Sequence, residues 1–362
     1  MKPSGRVPAQ GRPPSPSVPA RPTVLAIGRI QEGKAVVTEP AQAARLAAKG
    51  SVGRTGADGS LTLELVEAAL CVADGRLALL EGKTPLAVAD VLALGDRTEM
   101  AYLVYRDLRE RGLVVRPQPD GPDGPGRRFA VWPRGTGDGE PAFHVLACSD
   151  ADGLDLGVLA EAATSKAVLS VADADGAITH YQCALDRPAG DVPAGDLPRA
   201  KGAVLADRVL VADPAAVDAY GTREFLGTRH GNELFLSFVE AEALRRRGVL
   251  SVPPGLADHG EDARLLPVHL ALRAAGAVPK SGFKFGTHLR AYRNAPDDGH
   301  AEWLVHVATV GEALPWSALS RGVRLAHGVR KKFLVAMPAS SQAGPAGSGP
   351  APTFAHLSWY RP

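Results

Sequence analysis

Gly282-Phe-Lys-Phe-Gly286-Thr-His-Leu-Arg-Ala-Tyr292 carries the densest pattern in this chain, and His300 and Leu325-Ala-His-Gly-Val-Arg-Lys331 follow it. The tyrosine, histidine and lysine stand at spacings of 8 and 31 residues, from 292 to 300 to 331. Breaking RNA through its own 2′-hydroxyl needs a base for that proton, an acid for the departing 5′-oxygen, and positive charge for the transition state. Tyr292, His300 and Lys331 can supply these groups in that order.

Each of these three residues also has an ordinary structural interpretation. Tyr292 alone is typical of an aromatic residue at a strand end, anchored by its hydroxyl. His300 follows the turn sequence Asp297-Asp298-Gly299 and, taken alone, is a solvated loop histidine. Lys331 alone is a charge on a helix surface, since a helix is expected around residues 319 to 332. Only the joint pattern favours catalysis.

The chain repeats its own pattern. Val36-Val-Thr-Glu-Pro40 corresponds to Leu210-Val-Ala-Asp-Pro214, and Asp186-Arg187-Pro188 corresponds to Tyr360-Arg361-Pro362, both at an offset of 174 residues. Leu61 to Glu67 likewise corresponds to Leu234 to Glu240. The second copy begins with strand-like residues and continues into a helix that includes Leu234, with Asn232 as a candidate N-cap and Gly248 at its end. Two copies of one α+β unit explain this pattern.

These motifs resemble the archaeal tRNA-splicing endonuclease family, in its two-unit, homodimeric type. The resemblance covers about residues 22 to 362 and is strongest from Pro279 to Met337. It implies a tandem repeat of two units, each a small N-terminal α/β domain followed by a nuclease-like domain with a mixed sheet flanked by helices. The predicted organisation is a disordered Pro-rich tail (1–21), a non-catalytic unit (22–189), a linker (190–202) and a catalytic unit (203–362). Within the catalytic unit, an N-terminal subdomain (about 203–265) precedes the nuclease domain (about 266–362).

The resemblance assigns roles to the three residues and names a substrate. Tyr292 is expected to be the general base, His300 the general acid and Lys331 the group that stabilises the transition state. Free tyrosine has a pKa of about 10, so this role requires neighbouring cations. The expected reaction is metal-independent cleavage of precursor tRNA at bulge-helix-bulge splice sites, with 2′,3′-cyclic phosphate and 5′-hydroxyl ends. Neither a metal nor another cofactor is expected.

Two arginines are the candidates for gripping the RNA. Regular A-form RNA holds the 2′-oxygen away from the line of the breaking bond, and a bulge relieves that restriction and exposes bases. In the family, two arginines hold a flipped bulge base by cation–π stacking. Arg324, seven residues before Lys331, matches the first, and Arg361 is the match for the second, although the Gly/Pro/Ser-rich insert at 338–352 intervenes.

The first copy lacks the catalytic pattern. Trp132 is predicted to occupy the place of the tyrosine, residues 133–142 contain no histidine, and Lys166 is interpreted as the only survivor of the trio. Asp173 and Asp175 form an acidic turn that resembles the loop by which the family docks onto a neighbouring chain. The same turn sequence is also typical of an ordinary hairpin. The docking interpretation predicts a homodimer in which C-terminal edges also pair between chains.

The composition of the chain limits its possible partners, metal sites and cellular compartment. A formal net charge of +2 over 362 residues means that a polyanion must meet a local basic patch. Three scattered cysteines argue against a disulfide framework or a zinc site. No apolar run approaches a membrane span, and the N-terminus lacks the apolar core of a signal peptide, so the cytoplasm is the expected compartment. The leading alternative function is a non-catalytic structural or RNA-binding subunit of a splicing endonuclease assembly, and a metal-dependent nuclease is disfavoured because carboxylate pairs are missing near the trio.

Overall fold

The computed structural model describes residues 24–118, 127–137, 139–338 and 351–362. The predicted tail (1–21) and most of the 338–352 insert lie outside these residues. The chain divides into two compact units, Met1–Val91 and Leu92–Pro362. Within the described ranges, every helix is too short or too polar to cross a membrane. The protein is a mixed α+β structure with several sheets, as the sequence predicts.

The first unit is a six-stranded sheet with two main helices, α1 and α2, and a short one, α3, at its end. β1 pairs antiparallel with β2 and parallel with β5, and the sheet order is β3-β4-β2-β1-β5-β6. The elements are β1 Ala26–Gln31, β2 Lys34–Val37, α1 Pro40–Gly50, β3 Arg54–Thr55, β4 Leu61–Leu63, α2 Leu65–Ala73, β5 Leu77–Glu81, β6 Thr84–Pro85 and α3 Val88–Leu92.

The second unit begins with the elements that build one half of its large sheet, called the first half. They are α4 Thr98–Glu110, β7 Val114–Pro117, β8 Arg128–Trp132, β9 Phe143–Ser149, β10 Gly153–Leu154, α5 Leu156–Ser165, β11 Val168–Ala172 and β12 Ile178–Asp186.

A small domain and the elements of the other half, called the second half, follow. The small domain comprises β13 Ala200–Lys201, β14 Ala203–Val204, β15 Val209–Val211, α6 Pro214–Asp218 with a π-helical turn Ala219–Arg223, β16 Thr228–His230, β17 Glu233–Leu236, α7 Phe238–Arg246 and β18 Leu250–Ser251. The second half comprises α8 Gly260–Ala274, β19 Val278–Ser281, β20 Leu289–Tyr292, β21 Trp303–Val307, β22 Leu314–Pro315, α9 Trp316–Gly328, β23 Lys332–Met337 and β24 Thr353–Tyr360.

The two small sheet domains use the same devices to start their helices. Pro40 and Pro214 each occupy the first turn of a helix, where a missing N–H costs nothing. The preceding acid, Glu39 or Asp213, accepts hydrogen bonds from backbone N–H groups of that turn. The sequence correspondence at an offset of 174 therefore falls on equivalent helix starts.

The second helix of each small domain carries a capping box. Glu67 and Glu240 each accept a hydrogen bond from the backbone N–H three residues before them. Each also accepts one from a loop glycine, Gly53 or Gly227, at 2.8 and 2.9 Å. Both glutamates are buried, so the sequence match at these positions preserves a loop anchor as well as a helix cap.

The predicted start of α7 is wrong. Leu234 lies in strand β17, and Ser237 rather than Asn232 is the N-cap, because its hydroxyl accepts from the Glu240 N–H in the capping box. The apolar residues before Ser237 alternate across a strand, and the apolar pattern alone does not separate a strand from a helix that follows it directly. The predicted end is correct, since Gly248 follows the helix with φ of 73°.

A ten-stranded sheet joins the first and second halves. Its order is β19-β20-β21-β23-β24-β12-β11-β9-β8-β7. Counted inward from either edge, the strands follow in chain order, from β19 to β24 on one side and from β7 to β12 on the other. The central pair, β24 and β12, runs antiparallel with Gln182 opposite Ser358. β24 is hydrogen-bonded on both sides, to β12 and to β23, so the predicted pairing of C-terminal edges between chains is wrong: both edges are occupied within one chain.

Apolar side chains cover both faces of the second half of this sheet. On one face α8 contributes Val268 and Leu272 to a core with Ala291, Trp303 and Leu334. On the other face α5 and α9 share a single core that spans both halves, including Leu159, Leu169, Leu319, Phe333 and Leu357. This shared core fixes the two halves in one body and anchors β21 and β23, whereas β20 is anchored from the α8 face.

The segment 190–202 lies along the second half through backbone hydrogen bonds. Gly190 N–H donates to the Ala275 carbonyl, and Asp191 N–H donates to the Arg293 carbonyl. Buried Arg273 donates to the Val192 carbonyl and to Glu224. These contacts hold the segment against α8 and β20.

Candidate active site

The three predicted catalytic residues lie at the same end of three neighbouring strands. Ala291 pairs with Trp303, and Trp303 pairs with Lys332. One residue further along the same registers, Tyr292 stands opposite Glu302, and Glu302 stands beside Lys331. Because neighbouring strands lie about 4.8 Å apart, the tyrosine and lysine backbones are about 10 Å apart across the row. We call Tyr292, Glu302 and Lys331 the catalytic row.

Lys331 lies between a helix and a strand, so the prediction that it belongs to a helix surface is wrong. Helix α9 ends at Gly328, Arg330 has φ of 55°, and the Lys331 N–H donates to the Ala326 carbonyl at 2.8 Å. This is a Schellman-type helix end, which turns the chain into β23. It places the lysine side chain at the sheet end rather than on the helix.

The Lys331 ammonium is held at a defined place in the site. Its Nζ donates to the Ala301 carbonyl at 2.7 Å, directly after His300, and lies 5.9 Å from the centre of the Phe285 ring. Burial lowers the pKa of Lys331, and the nearby positive charge of Arg290 lowers it further. The lysine is therefore bound to the loop that carries the candidate acid.

His300 lies in an exposed loop between β20 and β21. A 3-10 turn, Pro296–Asp298, begins this loop, and Gly299 and His300 follow before the chain enters β21 at Trp303. The exposed imidazole can meet a substrate from outside. The register brings Tyr292 and Lys331 into one row, and the Lys331–Ala301 hydrogen bond connects the His300 loop to that row.

Arg290 is a fourth polar residue of this site that sequence reasoning missed. Its guanidinium carbon lies 5.6 Å from the centre of the Tyr292 ring. Its Nε is buried and, among the described residues, has no hydrogen-bond partner. The sequence signal was available, because Arg290 and Tyr292 are two apart on one strand and so share a face.

The first half of the sheet carries a different row at the equivalent place. The Arg290, Leu304 and Phe333 register matches that of Arg128, Leu146 and Leu169. Two residues along, Ala130 pairs with His144 where the second half has Tyr292 opposite Glu302, and Ala167 follows the helix where the second half has Lys331.

Two expectations about the first half are therefore wrong. Lys166 has φ of 56° and corresponds to Arg330, because the following residue, Ala167, donates to the Ala162 carbonyl as Lys331 does to Ala326. Trp132 lies two residues beyond the position of the tyrosine. Sequence spacing was misleading here because the loops that flank the strands differ in length between the halves.

Arg128 has a counter-ion, whereas Arg290 has none within the described ranges. Its guanidinium donates two hydrogen bonds to the Glu161 carboxylate, at 2.5 and 2.9 Å. Glu161 lies on α5 one residue before Ala162, so its equivalent on α9 is Leu325. A bidentate pair of this kind neutralises the arginine.

The predicted RNA-binding arginines lie on and near the last turns of α9. Arg324 is exposed on the helix. Arg361 follows β24, with its guanidinium carbon 4.9 Å from the centre of the Trp359 ring, and the His327 ring meets Trp359 edge-on at 6.1 Å. Trp359 is 51% exposed, which leaves an aromatic face open beside Arg361.

The predicted docking loop is a tight turn between β11 and β12. The Asp173 carboxylate accepts hydrogen bonds from the Asp175 and Ala177 N–H groups, at 3.0 and 2.9 Å. The Asp175 side chain is exposed. The two acids therefore differ: Asp173 holds the turn, and Asp175 presents its charge outward.

A cleft of about 890 Å³ lies between the small domain and the second half. Buried Glu240 and Lys280 approach to 3.6 Å at its wall, and the Lys280 ammonium donates to the Gly227 carbonyl. His269 is buried beside them, and burial lowers its pKa to about 4. Acidic and basic side chains are mixed around this cleft, so it is not a uniformly basic pocket.

A serine, a histidine and an aspartate also meet in the first half. Ser170 Oγ lies 2.7 Å from His180 Nδ1, and His180 Nε2 lies 3.0 Å from Asp107 Oδ2. Ser170 and His180 are buried, so this arrangement is a hydrogen-bonded part of the interior rather than a nucleophile open to substrate.

Comparison with known proteins places the catalytic row inside a recognised domain. Residues 264–343 match the family described as tRNA intron endonuclease, catalytic C-terminal domain. The tRNA-splicing endonuclease of Natronomonas pharaonis is 38% identical over 294 residues, which cover 75% of this chain and 84% of that protein. The enzymes of that name from Methanosarcina mazei and Haloferax volcanii are 34% and 33% identical, over 87% and 86% of this chain and 94% of each relative.

The fold and the matched domain thus define an endoribonuclease. The chain belongs to the tRNA-splicing endonuclease family. The resemblance found in the sequence is confirmed.

Proposed function

We propose that this protein excises introns from precursor tRNA, cutting at bulge-helix-bulge splice sites without a metal ion. Its relatives are named tRNA-splicing endonucleases, and they match it over most of its length. The observation that carries the proposal is the catalytic row, where Tyr292 and Lys331 share one end of the sheet and the His300 loop is bound to Lys331.

In the proposed mechanism the substrate supplies its own nucleophile. Tyr292 takes the proton of the 2′-hydroxyl while the 2′-oxygen bonds to phosphorus. His300, protonated, gives its proton to the 5′-oxygen as the bond from phosphorus to that oxygen breaks. Lys331 stabilises the negative charge that builds on the phosphate oxygens. The products are a 2′,3′-cyclic phosphate and a 5′-hydroxyl.

We further propose that the chain is a tandem repeat that works as a homodimer. The non-catalytic unit (22–189) and the catalytic unit (203–362, with its boundary near 265) are joined by 190–202. The palindromic strand order and the matched helix caps support this division. The turn that carries Asp173 and Asp175 docks on a partner chain, so that two active sites face two intron boundaries.

Arg324 and Arg361 are proposed to hold a flipped bulge base. Arg324 is exposed on α9. Arg361 follows β24, where it already stacks on an exposed tryptophan. A guanidinium plane beside an open aromatic face is suited to base stacking.

Incubation of the purified protein with a bulge-helix-bulge precursor tRNA in EDTA tests the function. We expect two cuts and the end groups stated above, and no cut where the sugar before the scissile phosphate is 2′-deoxyribose. Cleavage of that deoxy substrate would contradict the mechanism. Binding without cleavage would favour a non-catalytic subunit, and cleavage only after a divalent ion is restored would favour a metal-dependent nuclease.

A further inference from the structure

Two cations of the active site lack a counter-ion in the part of the chain that the structure describes. Among these residues, no carboxylate lies within ion-pair distance of Arg290 or Lys331. Their sequence neighbours are paired: Arg293 binds Glu302 at 2.8 Å, and Lys332 binds Asp186 at 3.2 Å. Arg290 and Lys331 therefore keep their positive charge open to a ligand.

Holding these two charges together is unfavourable in the free protein. Arg290 is close enough for its charge to lower the pKa of Lys331, beyond the effect of burial. The buried Nε of Arg290 has no acceptor in the described part of the chain, and a buried donor without an acceptor is costly. An anion that bound both cations would relieve both costs.

The first half shows how the same fold removes such a site. Arg128, the equivalent of Arg290, is neutralised by Glu161, and Ala167 replaces the lysine. The second half has Leu325 at the position of the glutamate. The arginine beside Tyr292 and Lys331 is thus unpaired among the described residues, and its counterpart in the first half, where both are replaced by alanine, is paired.

We propose that Arg290 is a second catalytic cation, which donates hydrogen bonds to a non-bridging oxygen of the scissile phosphate beside Lys331. This inference rests on the proposed function and deepens it. The phosphate gains negative charge as the 2′-oxygen attacks, and two cations on one side of the row stabilise that charge. A guanidinium stays protonated throughout and offers a rigid fork of donors, so Arg290 orients the phosphate while Tyr292 and His300 move protons.

Transplanting the ion pair of the first half tests this role. Leu325 is 37% exposed, so Leu325→Glu can be accommodated at the surface and places a carboxylate where Arg290 is expected to meet it. We expect Leu325→Glu and Arg290→Gln each to lower the single-turnover rate constant at saturating enzyme on the order of 100-fold. Leu325→Gln and Arg128→Gln are the matched controls and should stay within about threefold of the wild type.

A pH profile separates this role from a merely structural one. Since Arg290 lowers the pKa of Lys331, removing or neutralising its charge raises that pKa. Protonated Lys331 then persists to higher pH, and the alkaline limb of the rate profile moves upward in Arg290→Gln and Leu325→Glu but not in Leu325→Gln. The affinity for a 2′-deoxy precursor tRNA should change much less than the rate constant.

The outcomes are distinct. Unchanged rates and an unchanged alkaline limb in Leu325→Glu and in folded Arg290→Gln, beside an active wild type, would overturn the role of Arg290. If Arg290→Gln fails to fold by circular dichroism, Leu325→Glu alone decides. Failure of the wild type to cut any precursor tRNA would instead overturn the proposed function, and this inference with it.

Discussion

The two halves of the ten-stranded sheet share strand order and core but differ at one row of residues. In the second half the row holds Tyr292, Glu302 and Lys331, and in the first it holds Ala130, His144 and Ala167. The strands keep the same register in both halves although all three residues of the row differ. The comparison teaches that this fold tolerates loss of the site without loss of the sheet, so chemistry and architecture can be tested separately.

The largest expected effect contrasts the candidate acid with a histidine of the other half. We expect His300→Ala to lower the single-turnover rate of precursor tRNA cleavage by about 100-fold to 10,000-fold, because the leaving oxygen loses its proton donor. His144 is also exposed and is the middle residue of the row in the first half, and His144→Ala should leave the rate within about twofold. Comparable losses in both variants would mean that the halves share the chemistry.

The next effect concerns assembly. Asp175 is exposed, whereas the Asp173 carboxylate holds the turn, so Asp175→Lys reverses charge without removing those hydrogen bonds. We expect light scattering to show a shift from dimer to monomer for Asp175→Lys. Glu140→Lys, an exposed charge reversal in another loop of the same half, is the control and should remain dimeric. An unchanged dimer in Asp175→Lys would reject this loop as the main contact.

The two halves should also respond differently to acid. Burial lowers the pKa of His269 and of His306 to about 4, with the charge of neighbouring His288 adding to the shift of His306. The ordinary pKa of histidine is about 6.5. The stability that these two neutral side chains give the fold is therefore present above about pH 6.5 and is lost as the pH falls through 4. In the first half, burial raises the pKa of Asp107, but hydrogen bonds from His180 and Arg111 outweigh this and lower the pKa to about 2. The stability that the ionised Asp107 carboxylate gives the fold is therefore lost only below about pH 4.

Hydrogen exchange checks this difference. Between pH 7 and about pH 5, and after correction for intrinsic rates, peptides from α8 and β21 should lose protection while those from α4 and β11 keep it. His269→Gln removes one of the titrating groups, so its second half should show a smaller change. Equal loss in both halves would contradict the assignment.

The sequence predicted the family and the mixed α+β fold better than it predicted the boundaries of elements. Tyr292 and Lys331 could be singled out because the trio with His300 is spread over a long, distinctive pattern, and the register of three strands brings these two residues into one row. The matched positions in the first half were misplaced because loops of unequal length separate strands of equal register. Arg290 was missed for a different reason: an arginine before a tyrosine is ordinary in sequence, and only the absence of an acid on the facing helix makes it informative.

The smallest effect concerns packing beneath the row. Gly322 on α9 lies against Phe333, and a Cβ at that position would overlap the ring. At the equivalent positions the first half has Val158 and Leu169, a larger helix residue facing a smaller strand residue. Phe333 therefore requires the glycine, despite the weaker helix propensity of glycine.

Exchanging this pair tests whether a small helix residue facing a large strand residue and the reverse arrangement are alternative packings of the same contact. We expect Gly322→Val to destabilise the protein by about 1 to 3 kcal/mol through overpacking. Adding Phe333→Leu should restore part of that loss, because the double variant reproduces the pair of the first half, with a coupling of about 0.5 to 3 kcal/mol in a double-mutant cycle followed by thermal unfolding. Gly328→Ala, where a Cβ meets open space, is the control. Strictly additive losses of stability would mean that the residue at position 322 of α9 packs independently of the facing strand residue at position 333.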